Sequence, residues 1–486
     1  MQPALSIKEK VGYGFGDFAS SMFWKLFSVY LLYFYTDVFG LPALAVGTMF
    51  LVTRIWDTAL DPLIGILSDR TSTRWGKFRP YILWMAIPFG VAGVLTFSAP
   101  ELGNTGKLIY AYGTYTLMMM VYSAINVPYA SLMGVMTPDI KARTTLSTFR
   151  FIFAFAGSIF VLATTEPLVD KLSGAFGARD ARTGWQLTLL CYALVVVVLF
   201  YLTFRWTRER ILPQKAQQGN LKTDLADLGR NIPWFVLLGA GIATLIFNSL
   251  RDGAAIYYFK YFFKEQSSLR LSFTDITIPY SSLYLVVGQA ANIVGVVLAK
   301  PVSDRIGKKK TFLFAMLLAA VLSCIFYAFR EDQLLLIFGF QFLISICAGS
   351  VFPLLWSMYA DIADYSEWKT GRRATGLIFS SSSMSQKLGW TLGGALTGWL
   401  LAYWGFAANQ VQSAAAVNGI RLMVSLLPAA GALLSAVFLF FYRLNDNYME
   451  TISEELRQRR LAENNTMPAA EATQAFHSTE KSVTHQ

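Results

Sequence analysis

The feature that most limits how this chain can fold is a succession of about twelve apolar runs, each long enough to cross a bilayer, where ~20 helical residues are needed. Six lie near residues 15–38, 41–67, 80–98, 108–135, 145–165 and 185–203, and six more near 233–263, 278–298, 311–328, 334–360, 374–404 and 420–442. In lipid every backbone N–H and C=O must be satisfied within its own element, so such runs predict membrane-spanning helices. Composition agrees, because 55% of the 486 residues are hydrophobic and only 15% charged, which an ordinary soluble protein does not match. A net charge of +11 would suggest nucleic acid in a soluble chain, but here the basic residues sit in short loops between apolar runs, and no nucleic-acid binding is expected.

Those basic residues crowd alternate loops. Arg70, Arg74, Lys77 and Arg79 follow the second run, Lys141 and Arg143 the fourth, and Arg305 with Lys308 to Lys310 the eighth. By the positive-inside rule both termini and the polar middle segment, 207–232, are expected in the cytoplasm, in a multi-pass protein of the plasma (inner) membrane. The tail, 443–486, is charged and then rich in small polar residues, and is expected to be disordered. Leu221, Leu225 and Leu228 stand at helical spacing within Asn220 to Arg230, a segment expected to lie along the inner face. Cys191, Cys324 and Cys347 fall inside apolar runs and read as small core residues. The N-terminus lacks the apolar region of a removable signal peptide.

Within the second run stand Arg54, Asp57 and Asp61, three and four residues apart and therefore on one helix face. A charge at the bilayer centre costs ~2.5 kcal/mol or more even on a lenient scale, so that face is expected to look at a water-filled cavity or a partner helix. The two histidines, His477 and His485, lie in the tail, so a proton site in the membrane must be a carboxylate. Asp57, Asp61, Asp17 and Asp252 are the candidates. The plainer alternative is that Arg54 and Asp57 only pair two helices.

The chain also repeats itself. Ser-Asp-Arg at Ser68 to Arg70 recurs at Ser303 to Arg305, about half a chain apart, and Pro128 precedes Asp139 as Pro353 precedes Asp364, by eleven residues each time. Two similar halves, 1–206 and 233–442, predict a pseudo-symmetric transporter with its substrate site at mid-membrane between two six-helix bundles. The loop motif KPVSDRIGKKK from Lys300 and its looser counterpart GILSDRTSTRWGK from Gly65 resemble the major facilitator superfamily. More narrowly, YGFGDF at Tyr13, YTDVFG at Tyr35, GTMFLVTRIWDTALDPLIG at Gly47, RWGKFRP at Arg74 and DYSEWKTG at Asp364 resemble the glycoside–pentoside–hexuronide family of cation symporters, the family of the melibiose carrier.

That resemblance implies an all-α fold of twelve transmembrane helices and symport of a glycoside, pentoside or hexuronide with a cation by alternating access. It places the coupling cation, H⁺ or Na⁺, at Asp57 and Asp61, with Asn126 matching a further cation-site position. Leu60 and Asn126 replace an amide and an acidic ligand of the family's sodium users, and a hard cation wants a full oxygen shell, so H⁺ is favoured over Na⁺. Ser21, Asn126, Arg150 and Lys387 match sugar-contacting or coupling positions, Ser21 and Asn126 standing where the family has acidic residues. The site has thereby lost negative charge, which favours a glycoside other than melibiose, hexuronides included.

From residue chemistry alone, a sugar needs hydroxyl partners and an apolar wall. Ser20, Ser21, Trp24, Lys25, Tyr122, Asn126 and Arg150 in the first half and Arg251, Asp252, Trp356, Lys387 and Trp390 in the second are the candidates. Each has a plainer reading: the tryptophans as packing or interfacial residues, Lys25 as a snorkelling chain. Arg54, with Asp69 and Arg70 and their counterparts Asp304 and Arg305, is assigned to gating rather than substrate contact. No phosphate loop, nucleophile elbow or metal cluster is legible, so no enzyme, resident metal or cofactor is expected. The protein is expected to act as a monomer. An uncoupled sugar facilitator or exchanger, a lysolipid-type transporter and a membrane sugar sensor remain as alternatives.

Overall fold

The computed structural model describes residues 5–137, 140–174, 180–210, 229–263, 268–270, 277–370, 375–446, 448–452, 454–456 and 458; within them, the side chains of 58–59, 62, 66, 69–70, 140–145, 147–148, 268–270, 277–278 and 375–384 lie outside the description. The first half is built of α1 (Ile7–Val29), α2 (Ala43–Arg70), α3 (Arg79–Thr96), α4 (Asn104–Met136), α5 (Ile140–Ser173) and α6 (Ala181–Trp206). In the second half stand α7 (Ile232–Tyr257), α8 (Tyr280–Ile306), α9 (Lys308–Phe326), α10 (Leu334–Thr370) and α11 (Thr375–Tyr403), and the twelfth run is split at Ser425 into α12 (Ala414–Val424) and α13 (Leu426–Phe441). Both α1 and α7 run on into π-helical turns, Phe34–Val38 and Tyr258–Phe262. The sequence reading missed a short antiparallel ribbon between α7 and α8, β1 (Ser268–Arg270) and β2 (Thr277–Pro279).

Among the described residues nine helical segments are long and apolar enough to cross a membrane by length and composition, with α12 and α13 counted as one. Helices α1, α2 and α11 are outside that set. They carry Asp17 and Lys25, Arg54, Asp57 and Asp61, and Lys387, inward charges of the kind that α5 and α7 also hold in Arg150 and in Arg251 with Asp252. Away from these helices, large apolar side chains such as Ile109, Val297 and Phe440 are exposed on the outer surface, where lipid tails would cover them.

The packing repeats between halves. Helix α1 lies on α5 and α6, α2 on α4, and α3 on α4 and α6; α7 lies likewise on α11 and α13, α8 on α10, and α9 on α10 and α13. The halves meet along α2 with α11 and α5 with α8. At the end bearing the basic loops the repeat extends to single atoms. The Glu209 carboxylate accepts hydrogen bonds from the backbone N–H groups of Lys77, Phe78 and Arg79 at 2.9, 2.8 and 2.9 Å, capping α3 from a distant part of the chain. The Asp446 carboxylate does the same for α9 through the Lys308 N–H at 2.9 Å. Each carboxylate fills the space beside a glycine of positive φ, Gly76 (φ +110) and Gly307 (φ +90), where a Cβ would collide with it and the backbone would be strained.

Two expectations are corrected. Cys191 and Cys324 are exposed and only Cys347 is buried, because a thiol is apolar enough to face lipid as well as core. The expectation of a disordered tail fails for its first part, where Leu444, Met449, Ile452 and Leu456 are buried and Trp368 Nε1 donates to Glu455 at 2.6 Å. Met449, Ile452 and Leu456 stand three and four residues apart, a helical stripe hidden among charged neighbours. The middle segment with Leu221, Leu225 and Leu228 lies outside the described residues.

Candidate functional site

The charged face of α2 turns inward to α4 and to α11 of the other half. Asp57 is fully buried, with Oδ1 accepting from Ser123 Oγ at 2.6 Å and Oδ2 lying 3.4 Å from the Arg54 guanidinium and 3.3 Å from Lys387 Nζ. Lys387 also donates to Asp61 Oδ2, so one ammonium on α11 holds two carboxylates on α2. Asp61 Oδ1 is buried and accepts no hydrogen bond among the described residues. Arg54 does more than pair: its guanidinium lies 4.5 Å from the centre of the Trp24 ring, which in turn packs 5.6 Å from Tyr122.

Two further ion pairs stand nearby. Asp17 accepts from Arg150 Nε at 2.5 Å and from Tyr129 Oη at 2.8 Å, and the Arg150 guanidinium lies over the Tyr13 and Tyr129 rings. This cluster lies wholly within the first half. Lys25 crosses to the other half, 2.5 Å from Asp252, and is buried by it rather than snorkelling to the surface. Arg251 and Asp252, about 100° apart on their helix, take separate partners. Arg251 donates to Val424 O, Tyr284 Oη and Gln341 Oε1 at 2.6, 2.8 and 2.6 Å.

Between the halves at this depth lies a cavity whose walls include Trp24, Phe50, Arg54 and Tyr115 from one half and Trp390 and Thr391 from the other. It has room for a few waters and not for a sugar. Of the expected sugar contacts, Trp24 lines it directly, Tyr122 backs Trp24, and Lys387 and Arg150 are held in the ion pairs above. Asn126 Oδ1 accepts from Ser20 Oγ at 2.9 Å and its Nδ2 donates to Tyr122 O at 3.0 Å, so the amide serves α1 and α4 rather than Asp57. Ser21 is half-buried on α1, and Trp356, half-buried on α10, is not among the residues lining the described cavity. Asp304 is exposed and bonds Lys300 one turn back at 2.7 Å, and Arg305 beside it is exposed too. The side chains of Asp69 and Arg70 lie outside the described ones.

Toward the opposite end a network that the sequence reading missed ties the halves together. Asp37, in the π-helical turn after α1, accepts from Lys260 Nζ at 2.7 Å and from the Tyr261 hydroxyl, while Lys260 Nζ also donates to Asn409 Oδ1 at 2.8 Å. Thr36 meets the Tyr257 hydroxyl at 2.9 Å, and Ser281 donates to Glu166 at 2.9 Å between α8 and α5. Ser123 had a legible signal, three residues before Asn126 on the face that meets α2. The partners of Asp37 in the other half are 223 to 372 residues away in the chain and left no signal.

Two helical halves that meet around buried ion pairs at mid-depth define a major facilitator transporter, not an enzyme. The chain belongs to the MFS/sugar transport protein family, whose description matches residues 12–446. It is 36% identical over 456 residues to the inner membrane symporter YicJ of Escherichia coli (strain K12), covering 93% of this chain and 95% of that protein. It is also 36% identical over 458 residues to the isoprimeverose transporter of Lactiplantibacillus pentosus, covering 94% and 92%. In fold alone it is similar to an inward-facing, unoccupied bacterial homolog of the human lysosomal transporter Spinster, with a TM-score of 0.67 at 13% identity over 90% of this chain and 95% of that one.

Proposed function

We propose that this protein is a symporter that couples uptake of a glycoside, pentoside or hexuronide to entry of a cation, with H⁺ favoured over Na⁺. The observation that carries the reading is the single ammonium of Lys387 shared across the halves by Asp57 and Asp61. A cation arriving at Asp61 competes with Lys387 for the carboxylate. Releasing Lys387 unties α11 from α2, and the same movement that exposes the cavity to one side admits the sugar. Each ligand then raises the affinity for the other by the same factor, as linkage requires.

The proton is favoured because the oxygens available to a metal ion are few. The Asn126 amide oxygen is committed to Ser20, and Leu60 offers none, so a Na⁺ ion at Asp57 and Asp61 would lack a full shell. Trp24 and Trp390 provide apolar walls for a sugar ring, with Arg54, Lys387 and Tyr122 close enough to meet its hydroxyls once the cavity widens. The reading also takes the protein to be a monomer in the plasma membrane with both termini cytoplasmic, Asp69 with Arg70 and Asp304 with Arg305 serving the inner gate. The names of its relatives, a symporter and an isoprimeverose transporter, support this class.

The test is uptake of labelled α- and β-glycosides, pentosides and hexuronides into vesicles under an imposed proton gradient, a sodium gradient, or neither. Accumulation of one sugar class under the proton gradient, lost in Asp57→Asn and Asp61→Asn, is the expected result. Sugar uptake that no gradient drives uphill would replace symport by facilitation, and no uptake of any sugar would end the glycoside reading.

A further inference from the structure

A second polar space lies apart from the carboxylates of α2. It is a narrow notch inside the second half, between α7, α8 and α10, lined by Asn248, Asp252, Gln289, Asn292, Gln341 and Ser345. It has room for a single small group such as a hydroxyl. Arg251 closes its back and is already engaged by Gln341, Tyr284 and Val424. Asn292 Oδ1, by contrast, is buried and accepts no hydrogen bond among the described residues. A buried acceptor in that condition is costly until a donor reaches it.

Asp252 stands on the wall between this notch and the central cavity. Its neighbours Ser249 and Gly253 line the central cavity, and Asn248 and Arg251 line the notch. Among the described residues its carboxylate accepts from Lys25 alone, and 21% of its side chain is exposed. The other inward carboxylates are more fully engaged. Asp17 is held by Arg150 and Tyr129, and Asp57 by Ser123, Arg54 and Lys387. A single ion pair therefore separates two spaces of complementary character, one walled by the indoles of Trp24 and Trp390 and one by amides and a carboxylate. Lys25 Nζ itself lies 6.0 Å from the Trp390 ring centre.

A pyranose or furanose ring offers an apolar face and hydroxyls that donate and accept at once. Adjacent hydroxyls fit a carboxylate, which accepts at both oxygens, and an amide oxygen fits a third. We propose that the notch is a second sugar subsite, so that the transported glycoside has two hydroxyl-bearing units. Once the central cavity widens, one unit packs against Trp24 and Trp390, and the other, at the mouth of the notch, donates one hydroxyl into it to Asn292 Oδ1 and others to Asp252 in place of Lys25. This rests on the glycoside reading above. It adds a selection step, because only a substrate long enough to reach Asp252 dissolves the Lys25–Asp252 tie between the halves. A one-ring sugar occupies the central cavity once it widens and leaves the tie intact.

The test compares a disaccharide with the one-ring methyl glycoside of its own terminal sugar, in three labelled pairs: cellobiose with methyl β-D-glucopyranoside, melibiose with methyl α-D-galactopyranoside, and xylobiose with methyl β-D-xylopyranoside. Half-saturation concentrations are measured for the wild type, Asp252→Asn, Asn292→Ala and Asn248→Ala. The last two leave the Lys25–Asp252 pair intact and guard against a variant that fails to fold. Asn292→Ala is expected to raise the value for the disaccharide roughly tenfold relative to its methyl glycoside, the loss of one good hydrogen bond to a buried acceptor. If the wild type takes up both members of a pair with equal half-saturation, or if the variants shift both alike or neither, the subsite is overturned while sugar transport stands. No wild-type uptake of any member overturns the subsite, and the glycoside reading falls with it where the wider panel of glycosides, pentosides and hexuronides gives no uptake either.

Discussion

The two halves of this transporter are nearly the same at one end and differ at mid-depth, and the contrast separates scaffold from function. At the basic end Gly76 with Glu209 and Gly307 with Asp446 are one device built twice: a glycine of positive φ, and a carboxylate from a distant segment capping the helix that follows. At mid-depth each half buries an arginine, and there the likeness stops. Arg251 spends its described bonds on neutral acceptors of its own half. Arg54 sits beside Asp57, whose second partner, Lys387, belongs to the other half and is shared with Asp61. A charge satisfied within one rigid body has nothing to switch. A charge shared between two bodies changes partners whenever they move.

Replacing Arg251 should show the largest structural cost. Arg251→Met would leave three buried acceptors unpaired and is expected to lose about 3 kcal/mol or more, read as a fall in melting temperature in detergent and in membrane yield. If this variant instead folded normally but stopped coupling, the contrast between the two arginines would break. Asp61→Asn should do the reverse: full yield, and loss of gradient-driven accumulation by up to about 150-fold, the range of ordinary coupling free energies, with sugar counterflow retained.

The repeated device can be graded. Glu209 caps α3 with three described N–H bonds and Asp446 caps α9 with one, so Glu209→Ala is expected to cost about 2 kcal/mol and Asp446→Ala about 1 kcal/mol by thermal unfolding. Equal losses would show that the two caps are more alike in energy than their bonding suggests. The smallest effect belongs to Asp304, whose described partner is an exposed lysine one turn away. Asp304→Ala should change stability by less than about 0.5 kcal/mol, so any drop in transport from it would mark a gating contact formed in another state.

Much of this was readable from residues in order. The spans followed from run length, because a span must satisfy its own backbone in lipid, and the doubled plan from the repeated Ser-Asp-Arg triplets at Ser68 and Ser303 and the matched Pro128–Asp139 and Pro353–Asp364 spacings. That Arg54, Asp57 and Asp61 share an inward face followed from their spacing, since helical periodicity is local. The helical start of the tail was also present in Met449, Ile452 and Leu456, but the surrounding charge hid it. What only the tertiary structure decided is who faces whom across the two halves: Lys387 with Asp57 and Asp61, Lys25 with Asp252, and Asp37 with Lys260 and Asn409, separated by 330, 326, 227, 223 and 372 residues. Local sequence carries a helix's period and its charged face. It carries no record of which distant helix is rotated to meet that face, because that choice is made by the packing of whole bundles, where every partner must be satisfied at once.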